Sequence, residues 1–145
     1  MVVNQQFLLD SGIFIKFYRG DFRAATLLEA SIKRKDLISV FTITELFVGF
    51  KEAKLAAVKD FLKQFRTLPI TQEISDTASN LIKEHSSYFG KKAERGVIDA
   101  FIAATAIEHN LTLVTLNRKH FEKLKYGGFR CIILKESDMV WNLIQ

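Results

Sequence analysis

The sequence predicts an α/β protein with three layers, α/β/α, in which helices cover both faces of a mostly parallel central sheet. Short apolar segments of strand length alternate along the chain with longer amphipathic segments of helix length. Parallel strands need such crossover helices, because each strand must start from the same end of the sheet as its neighbour. The chain has 145 residues, one proline and seven glycines, and no linker-like tract. We therefore expect a single domain over residues 1–145.

The first half of the chain is expected to contain three strands and four helices. Apolar residues at three- and four-residue spacing indicate the helices, and short runs rich in β-branched and aromatic residues indicate the strands. Asp10 and Asp21 stand where each could cap a helix, and Pro69 ends the last helix. The predicted strands are 7–9, 37–41 and 68–70, and the predicted helices are 11–20, 21–34, 42–52 and 54–66.

The second half continues the alternation. Residues 97–107 are almost continuously apolar and too long for a strand, which predicts a buried helix. The polar, basic stretch 86–95 is expected to be a loop, and Gly127 with Gly128 a turn. The other predicted elements are helices at 71–85 and 118–125, a helical turn at 139–144, and strands at 111–116 and 130–134.

Composition excludes several classes of protein. Cys131 is the one cysteine, so the chain forms no internal disulfide, and its apolar surroundings fit a core thiol in a reducing compartment. No apolar stretch approaches the roughly 18 residues that span a bilayer, and the N-terminus lacks the pattern of a secretion signal. We expect a cytoplasmic protein without a membrane partner. The formal net charge of +5 permits a polyanionic partner without establishing one.

Three acidic residues and one amide stand where a metal site could form. Ligands of an open parallel sheet collect beyond the carboxyl ends of its strands, and Asp10, Glu45 and Asn117 lie at or just past such ends. Asp99 is the one charge in the apolar segment 97–107, where an unpaired carboxylate costs several kcal/mol. Converging carboxylates raise one another's pKa unless a cation lies among them. Oxygen ligands without a paired His or Cys motif favour Mg²⁺ or Mn²⁺ over zinc.

Helix capping is the simpler interpretation of two of these acids. Asp10 precedes Ser11 and can accept a backbone N–H of the turn that follows. The segment from Thr42 to Glu45 matches a capping box, in which the carboxylate reaches back to the first backbone N–H. The residues alone leave both the capping and the metal-site interpretations open.

Four segments, in this order, resemble the PIN-domain ribonucleases, and in particular the VapC-type toxins of toxin–antitoxin pairs. They are Leu9-Asp10-Ser11, Thr44-Glu45-Leu46, the stretch from Gly96 to Ala106 that contains Asp99, and the stretch from Thr115 to Phe121. The resemblance extends from Leu8 to about Leu134. It implies a PIN-like fold and a metal-dependent endoribonuclease, with Asp10, Glu45 and Asp99 at the core acidic positions and Ser11 at the small hydroxyl position beside the first.

The fourth acidic position of the family is not kept, because this chain offers Asn117 and His120 there. Asn117 can still bind a metal through its carbonyl oxygen or through water, and the lost charge leads us to expect one ion in the absence of substrate. We predict that the three acids hold Mg²⁺ or Mn²⁺, directly or through water, and that the ion supplies hydroxide for in-line attack on RNA. The fragments would carry 5′-phosphate and 3′-hydroxyl ends.

Basic residues flank the acidic positions and are candidates for binding the RNA backbone. They are Lys91, Lys92 and Arg95 before the buried helix, and Arg118 and Lys119 after the fourth strand. Solvated surface charge explains each of them equally well when it is taken singly. Ser11 is a further candidate for substrate binding, because it adjoins Asp10.

The family resemblance also implies partners, namely a homodimer and a cognate VapB-like antitoxin that covers helices of the N-terminal half. The chain has thirteen Phe, and any that are exposed there would mark such a surface. Two other functions stay open: a catalytically silent PIN-like module that binds RNA or protein, and a PIN nuclease of RNA processing without an antitoxin. A receiver-like phosphate-handling domain is less favoured, because only part of its pattern of acids and lysine is present.

Overall fold

The computed structural model describes residues 5–89, 93–124 and 126–142. Its central sheet has five strands, and every pairing between neighbours is parallel. The strands are β1 (Phe7–Leu9), β2 (Leu37–Ser39), β3 (Arg66–Leu68), β4 (Thr112–Thr115) and β5 (Arg130–Ile133). Their order across the sheet is β3-β2-β1-β4-β5. The chain therefore builds the sheet outward from β1 in one direction and then returns to its other side with β4.

Helices connect the strands and cover both faces of the sheet. They are α1 (Ser11–Tyr18), α2 (Phe22–Arg34), α3 (Val40–Gly49), α4 (Glu52–Leu62), α5 (Gln72–Glu84), α6 (Ser86–Phe89), α7 (Ala93–Glu108) and α8 (Arg118–Phe121). None of the helices in the described part of the chain has the length and apolar content that crossing a bilayer requires.

Two apolar cores, one on each face of the sheet, hold the layers together. Successive side chains of a strand point to opposite faces, so Leu8 packs with α5 and α7 in one core, and Leu9 packs with α1, α2 and α4 in the other. The predicted α/β/α architecture is confirmed. Cys131 on β5 is half-buried against the α5–α7 core. Burial, helped by the charge of Asp10, raises the pKa of this thiol to about 12.

The boundary between β2 and α3 differs from the prediction and removes the capping box. The Ser39 hydroxyl accepts the Phe41 N–H at 3.1 Å, so α3 begins at Val40. The predicted cap at Thr42 is therefore wrong, because Thr42 lies inside the helix, where its buried hydroxyl has no hydrogen-bond partner among the described residues. Glu45 lies in the second turn and does not cap α3.

The stretch 86–95, predicted to be a loop, contains α6 and the first residues of α7. The two helices approach closely at Gly96: a Cβ there would lie 1.8 Å from the Phe89 carbonyl oxygen. A residue without a side chain is what lets α7 begin against the end of α6. The third strand also starts earlier than predicted, because β3 (Arg66–Leu68) pairs with all three residues of β2.

The predicted helical turn at 139–144 does not form over the part that is described, residues 139–142. Tertiary contacts hold this part in an irregular conformation instead. The Trp141 indole N–H donates to the Lys135 carbonyl at 3.0 Å, and the Arg23 guanidinium lies 4.4 Å from the centre of the indole ring. The short helix predicted at 118–125 ends at Phe121.

Candidate active site

A cleft of about 300 Å³ opens beyond the carboxyl ends of β1 and β4, and we call it the acidic cleft. This is the point at which the strand order reverses, the usual place for a ligand in an open parallel sheet. The fold brings all four predicted catalytic residues and Ser11 to this cleft. Its lining is Asp10, Ser11, Glu45, Ile98, Asp99, Asn117 and His120.

Asp10 is held by hydrogen bonds to both of its carboxylate oxygens. Oδ1 accepts the Ser11 N–H at 2.8 Å, so the predicted cap of α1 is confirmed. Oδ2 accepts the Thr115 hydroxyl from β4 at 2.6 Å. Burial raises the pKa of Asp10, against the lowering effect of these hydrogen bonds and of the charge of His120. The carboxylate is thus fixed in orientation, and a nearby positive charge would stabilise its ionised form.

Glu45 extends from α3 toward Asp10. Loss of solvent around its carboxyl group, followed by repulsion from Asp10, raises the pKa of Glu45 to about 7, while a hydrogen bond with the Ser11 side chain acts in the opposite direction. The residue as a whole is exposed, so water screens part of that repulsion. Two acids that disfavour each other's ionised form are the arrangement that a divalent cation would relieve.

Asp99 lies in the second turn of α7 and contacts His120 of α8. Its Oδ2 is 2.5 Å from Nδ1 of the imidazole. The Asn117 side-chain amide is 2.7 Å from the same ring nitrogen. If Nδ1 of His120 carries a proton, it donates to Asp99 and has no lone pair left to accept a hydrogen bond from the Asn117 NH2 group. The Asn117 side chain must then present its oxygen, and not its nitrogen, to the ring. His120 therefore contacts Asp99, and Asn117 contacts His120.

The side chains of the acidic cleft carry the ligand types of a hard cation. Within residues 5–89, 93–124 and 126–142, no group of three or more Asp, Glu, His or Cys side chains is arranged to hold a metal ion as it stands. Asp10 and Asp99 are engaged with Thr115 and His120, whereas Glu45 is exposed and has a long side chain. All three carboxylates already line the cleft, and they would have to move closer together to hold a cation.

Arg118 and Lys119, two of the basic residues predicted to bind RNA, do not line the acidic cleft. Arg118 and Lys119 are exposed on α8, and Arg118 pairs with Glu122 at 3.4 Å. Lys91, Lys92 and the side chain of Arg95 lie outside the described part of the chain. A role in RNA binding stays a prediction for all five.

Two features of the site were not found from the sequence. Thr115 positions the site, because its hydroxyl donates to Asp10 and also accepts the Asn117 N–H at 3.0 Å. A hydroxyl residue at the end of a buried strand, two residues before Asn117, was the signal for it. The second feature is a neighbouring cleft of about 320 Å³, here called the basic cleft, which has Lys16 and Arg19 in its lining. Their three-residue spacing at the C-terminal end of α1 was the signal.

Comparison with known proteins places the chain in a family. Residues 7–125 match the model of the PIN domain. The chain belongs to the PIN domain family. Ribonuclease VapC10 of Mycobacterium tuberculosis is 34% identical over 122 residues, which are 81% of this chain and 90% of that protein. Ribonuclease VapC1 of Methanocaldococcus jannaschii is 31% identical over 132 residues, which are 88% of this chain and 87% of that protein.

A solved structure shows the same fold at similar sequence identity. It is a toxin–antitoxin complex from Klebsiella pneumoniae, to which this PIN domain is 30% identical with a TM-score of 0.69. The match covers 86% of this chain and 95% of that chain. Ribonucleases of the family generally depend on divalent metal ions.

Proposed function

We propose that this PIN-domain protein is an endoribonuclease dependent on Mg²⁺ or Mn²⁺ and the toxin of a toxin–antitoxin pair. The observation that carries the proposal is that Asp10 after β1, Glu45 of α3 and Asp99 of α7 line one cleft at the switch point of the sheet. Capping does not account for Glu45 or Asp99, because neither caps its helix. The relatives named ribonuclease VapC support RNA as the substrate.

A divalent cation fits the donor set of the acidic cleft. Three carboxylates and the oxygen of Asn117 are the hard ligands that Mg²⁺ and Mn²⁺ prefer. The raised pKa values of Asp10 and Glu45 favour the same interpretation, because a cation would offset the burial of both carboxylates and the repulsion that Asp10 exerts on Glu45. Asp10, Glu45 and Asp99 would hold the ion directly or through water. When bound, it would stabilise charge on the scissile phosphate and activate the attacking water.

The chain's own residues prepare this site before any ligand arrives. Thr115 and the Ser11 N–H fix the orientation of Asp10, which lowers the cost of ordering it later. His120 orients Asp99 in the manner of an outer-shell partner of a metal ligand. Glu45, with a pKa of about 7, exchanges a proton near neutral pH and must lose it before its carboxylate can hold a cation.

Cleavage of RNA by the purified protein tests the catalytic proposal. Wild-type protein should cut total RNA in Mn²⁺ or Mg²⁺ and not in EDTA, and the fragments should carry 5′-phosphate and 3′-hydroxyl ends. Asp99→Asn keeps the shape of the side chain and should lose more than the roughly 10–100-fold that removal of an outer-shell partner costs. Asp60→Asn is the matched control, because Asp60 is an exposed carboxylate of α4 outside the acidic cleft.

Two results would contradict this part of the proposal. One is cutting that persists in EDTA at the rate seen with metal. The other is an Asp99→Asn protein that cuts as fast as Asp60→Asn. A folded wild-type protein that cuts nothing would favour the alternative, a silent PIN-like module that binds RNA or protein. The departure from the family pattern at Asn117 and His120 is the observation that favours this alternative.

The toxin role concerns partners and place in the cell. The relative that is a toxin–antitoxin complex supports a VapB-like antitoxin as partner, and we propose further a homodimer, a cytoplasmic location and one domain over residues 1–145. Induced expression of the wild type in bacteria should arrest growth, and Asp99→Asn at equal abundance should not. A nuclease of RNA processing without an antitoxin would give active protein in the cleavage assay but no arrest.

A further inference from the structure

The basic cleft adjoins the acidic cleft. Both have Asp10, Ser11 and Asn117 in their linings, so these residues form the wall between them. On the far side of this wall, the basic cleft is lined by Lys16 of α1, by Arg19, which caps the C-terminal end of α1, and by Glu136, which follows β5. Among the described residues that line the two clefts, Lys16 and Arg19 supply the lysine and arginine cations.

Lys16 already holds an anionic group in this cleft. Its Nζ lies 3.3 Å from Oε2 of Glu136. The lysine side chain is only 26% exposed, whereas that of Glu136 is 64% exposed. The pair therefore joins a largely buried cation to a carboxylate on the solvent side, and a pair this open to water is worth little. Another anion that reaches Lys16 can replace the carboxylate at small cost.

The main chain that carries Glu136 is fixed by other contacts. The Arg23 guanidinium donates hydrogen bonds to the carbonyl oxygens of Glu136 and Asp138. The same guanidinium stacks on Trp141, whose indole N–H donates to the Lys135 carbonyl. Opening the Lys16 position therefore requires only the Glu136 side chain to turn away, with the backbone of the segment held in place.

An RNA strand needs cations beside the acidic cleft. Its phosphates are repelled by Asp10, Glu45 and Asp99, so affinity for the strand must come from positive groups close by. Arg118 and Lys119 line neither cleft. A strand with its scissile phosphate in the acidic cleft that continues past Asp10 and Asn117 enters the basic cleft.

We propose that the basic cleft binds a phosphate of the RNA strand that flanks the scissile phosphate, with Lys16 and Arg19 as its cationic ligands. In the free protein the Glu136 carboxylate pairs with Lys16, and the RNA phosphate displaces this carboxylate on binding. This inference rests on the proposed function, because it takes RNA as the substrate. The basic cleft would then be a phosphate subsite on one side of the cleavage point, next to the three acids that surround that point.

Binding of a fluorescently labelled, mixed-sequence RNA oligonucleotide tests the subsite without any cleavage. The titrations are done in EDTA over a range of salt concentrations for the wild type, Lys16→Gln and Glu136→Gln. Lys33 and Glu29 of α2 give the matched control, because they form a similar pair at 3.6 Å on an exposed surface outside both clefts. Lys33→Gln and Glu29→Gln therefore make the same changes of charge elsewhere. Melting temperatures show that each variant is folded.

The subsite predicts opposite effects for the two members of the pair. Lys16→Gln should weaken binding several-fold and lower the slope of log K against log salt by about 0.7, the contribution of one phosphate on a single strand. Glu136→Gln should tighten binding several-fold, and both control variants should bind like the wild type. In the cleavage assay, Lys16→Gln should raise KM and leave kcat within about twofold.

Three results would overturn the proposal. The first is an unchanged affinity and salt slope for Lys16→Gln. The second is an equal effect of Lys33→Gln, which would show that net charge alone matters. The third is weaker binding of an acidic protein segment by Lys16→Gln with RNA binding intact, which would assign the cleft to a protein partner. Failure of the proposed nuclease function is recognised separately, by a wild type that binds RNA in EDTA but never cuts it with metal.

Discussion

Gly96→Ala should change the stability of the protein in two opposite ways, through the helix propensity of α7 and through the packing of α7 against α6. Alanine is favoured over glycine inside a helix by about 1 kcal/mol, so helix propensity alone predicts a more stable protein. The packing predicts the reverse. A Cβ at Gly96 would lie 1.8 Å from the Phe89 carbonyl oxygen and 2.6 Å from its carbonyl carbon, where ordinary contacts begin at 3.4 Å. One of the two helices must therefore move by about 1.6 Å (3.4 − 1.8).

Forcing extra atoms into a close-packed site costs about 1–3 kcal/mol, and a clash with backbone should lie at the upper end. At about 2.1 cal/mol/K per residue, 1 kcal/mol shifts the melting temperature of a chain of this length by about 3 °C. The roughly 1 kcal/mol gained from helix propensity offsets part of an upper-end packing cost of about 3 kcal/mol. The net loss of about 2 kcal/mol should make Gly96→Ala melt about 6 °C below the wild type. The variant should also bind Mn²⁺ more weakly, because Asp99 follows three residues later on the displaced helix.

Gly49→Ala is the control for Gly96→Ala in the same thermal unfolding experiment. Gly49 ends α3, and a Cβ there meets no atom within 4 Å. This variant should melt at the wild-type temperature or slightly above it. A Gly96→Ala protein that melts at or above the wild type would refute the packing argument. Such a result would mean that the gain in helix propensity is not outweighed by a clash with Phe89.

Three further substitutions give independent tests. The pKa of Glu45 is raised from 4.5 to about 7, so the folded protein holds this proton more tightly than the unfolded chain does. Glu45 therefore lowers the free energy of unfolding increasingly as pH rises from 4.5 to 7. Glu45→Gln in EDTA should thus raise the melting temperature at pH 8, and a lower value would contradict the assignment. Asp36→Ala, which leaves Arg34 without the fully buried carboxylate 2.6 Å away, should cost about 3–5 kcal/mol in denaturant unfolding; a loss below 1 kcal/mol would count against that pair. His120→Ala should weaken Mn²⁺ binding about 10–100-fold by freeing Asp99, and unchanged binding would show that the contact does not position the acid.

The sheet could be predicted from the sequence because its signals are local. Four of the five strands contain a short apolar run, and the helix around Asp99 is too long and too apolar to be anything else. The exception is β3 (Arg66–Leu68), which was predicted two residues too late. The placement of Asp10 at the end of β1 followed from the same reasoning. Since the carboxyl ends of parallel strands share one edge, convergence of the acids was predictable without coordinates.

Other features depend on contacts between residues far apart in sequence. Thr42 to Glu45 has the spacing of a capping box, but Ser39 lies upstream and caps the helix first. The start of α7 depends on how closely Gly96 can approach Phe89, which no local pattern encodes.

The pairs at the two clefts were hidden for the same reason. His120 reaches Asp99 from another helix, and Glu136 reaches Lys16 from the far end of the chain. Charge counting along the sequence identified all four residues as charged or titratable but could not show which ones meet. Contacts of Arg23 with the C-terminal segment help to bring Glu136 to α1.

Titration of the protein with Mn²⁺, followed by electron paramagnetic resonance of the free ion, tests the central claim most directly. The claim is that Asp10, Glu45 and Asp99 together form a divalent-metal site. We predict one bound ion per chain without RNA for the wild type and for Asp60→Asn, and binding at least tenfold weaker for Asp99→Asn. Equal binding by Asp99→Asn and Asp60→Asn, or a folded wild type that binds no Mn²⁺ at millimolar concentration, would contradict the claim.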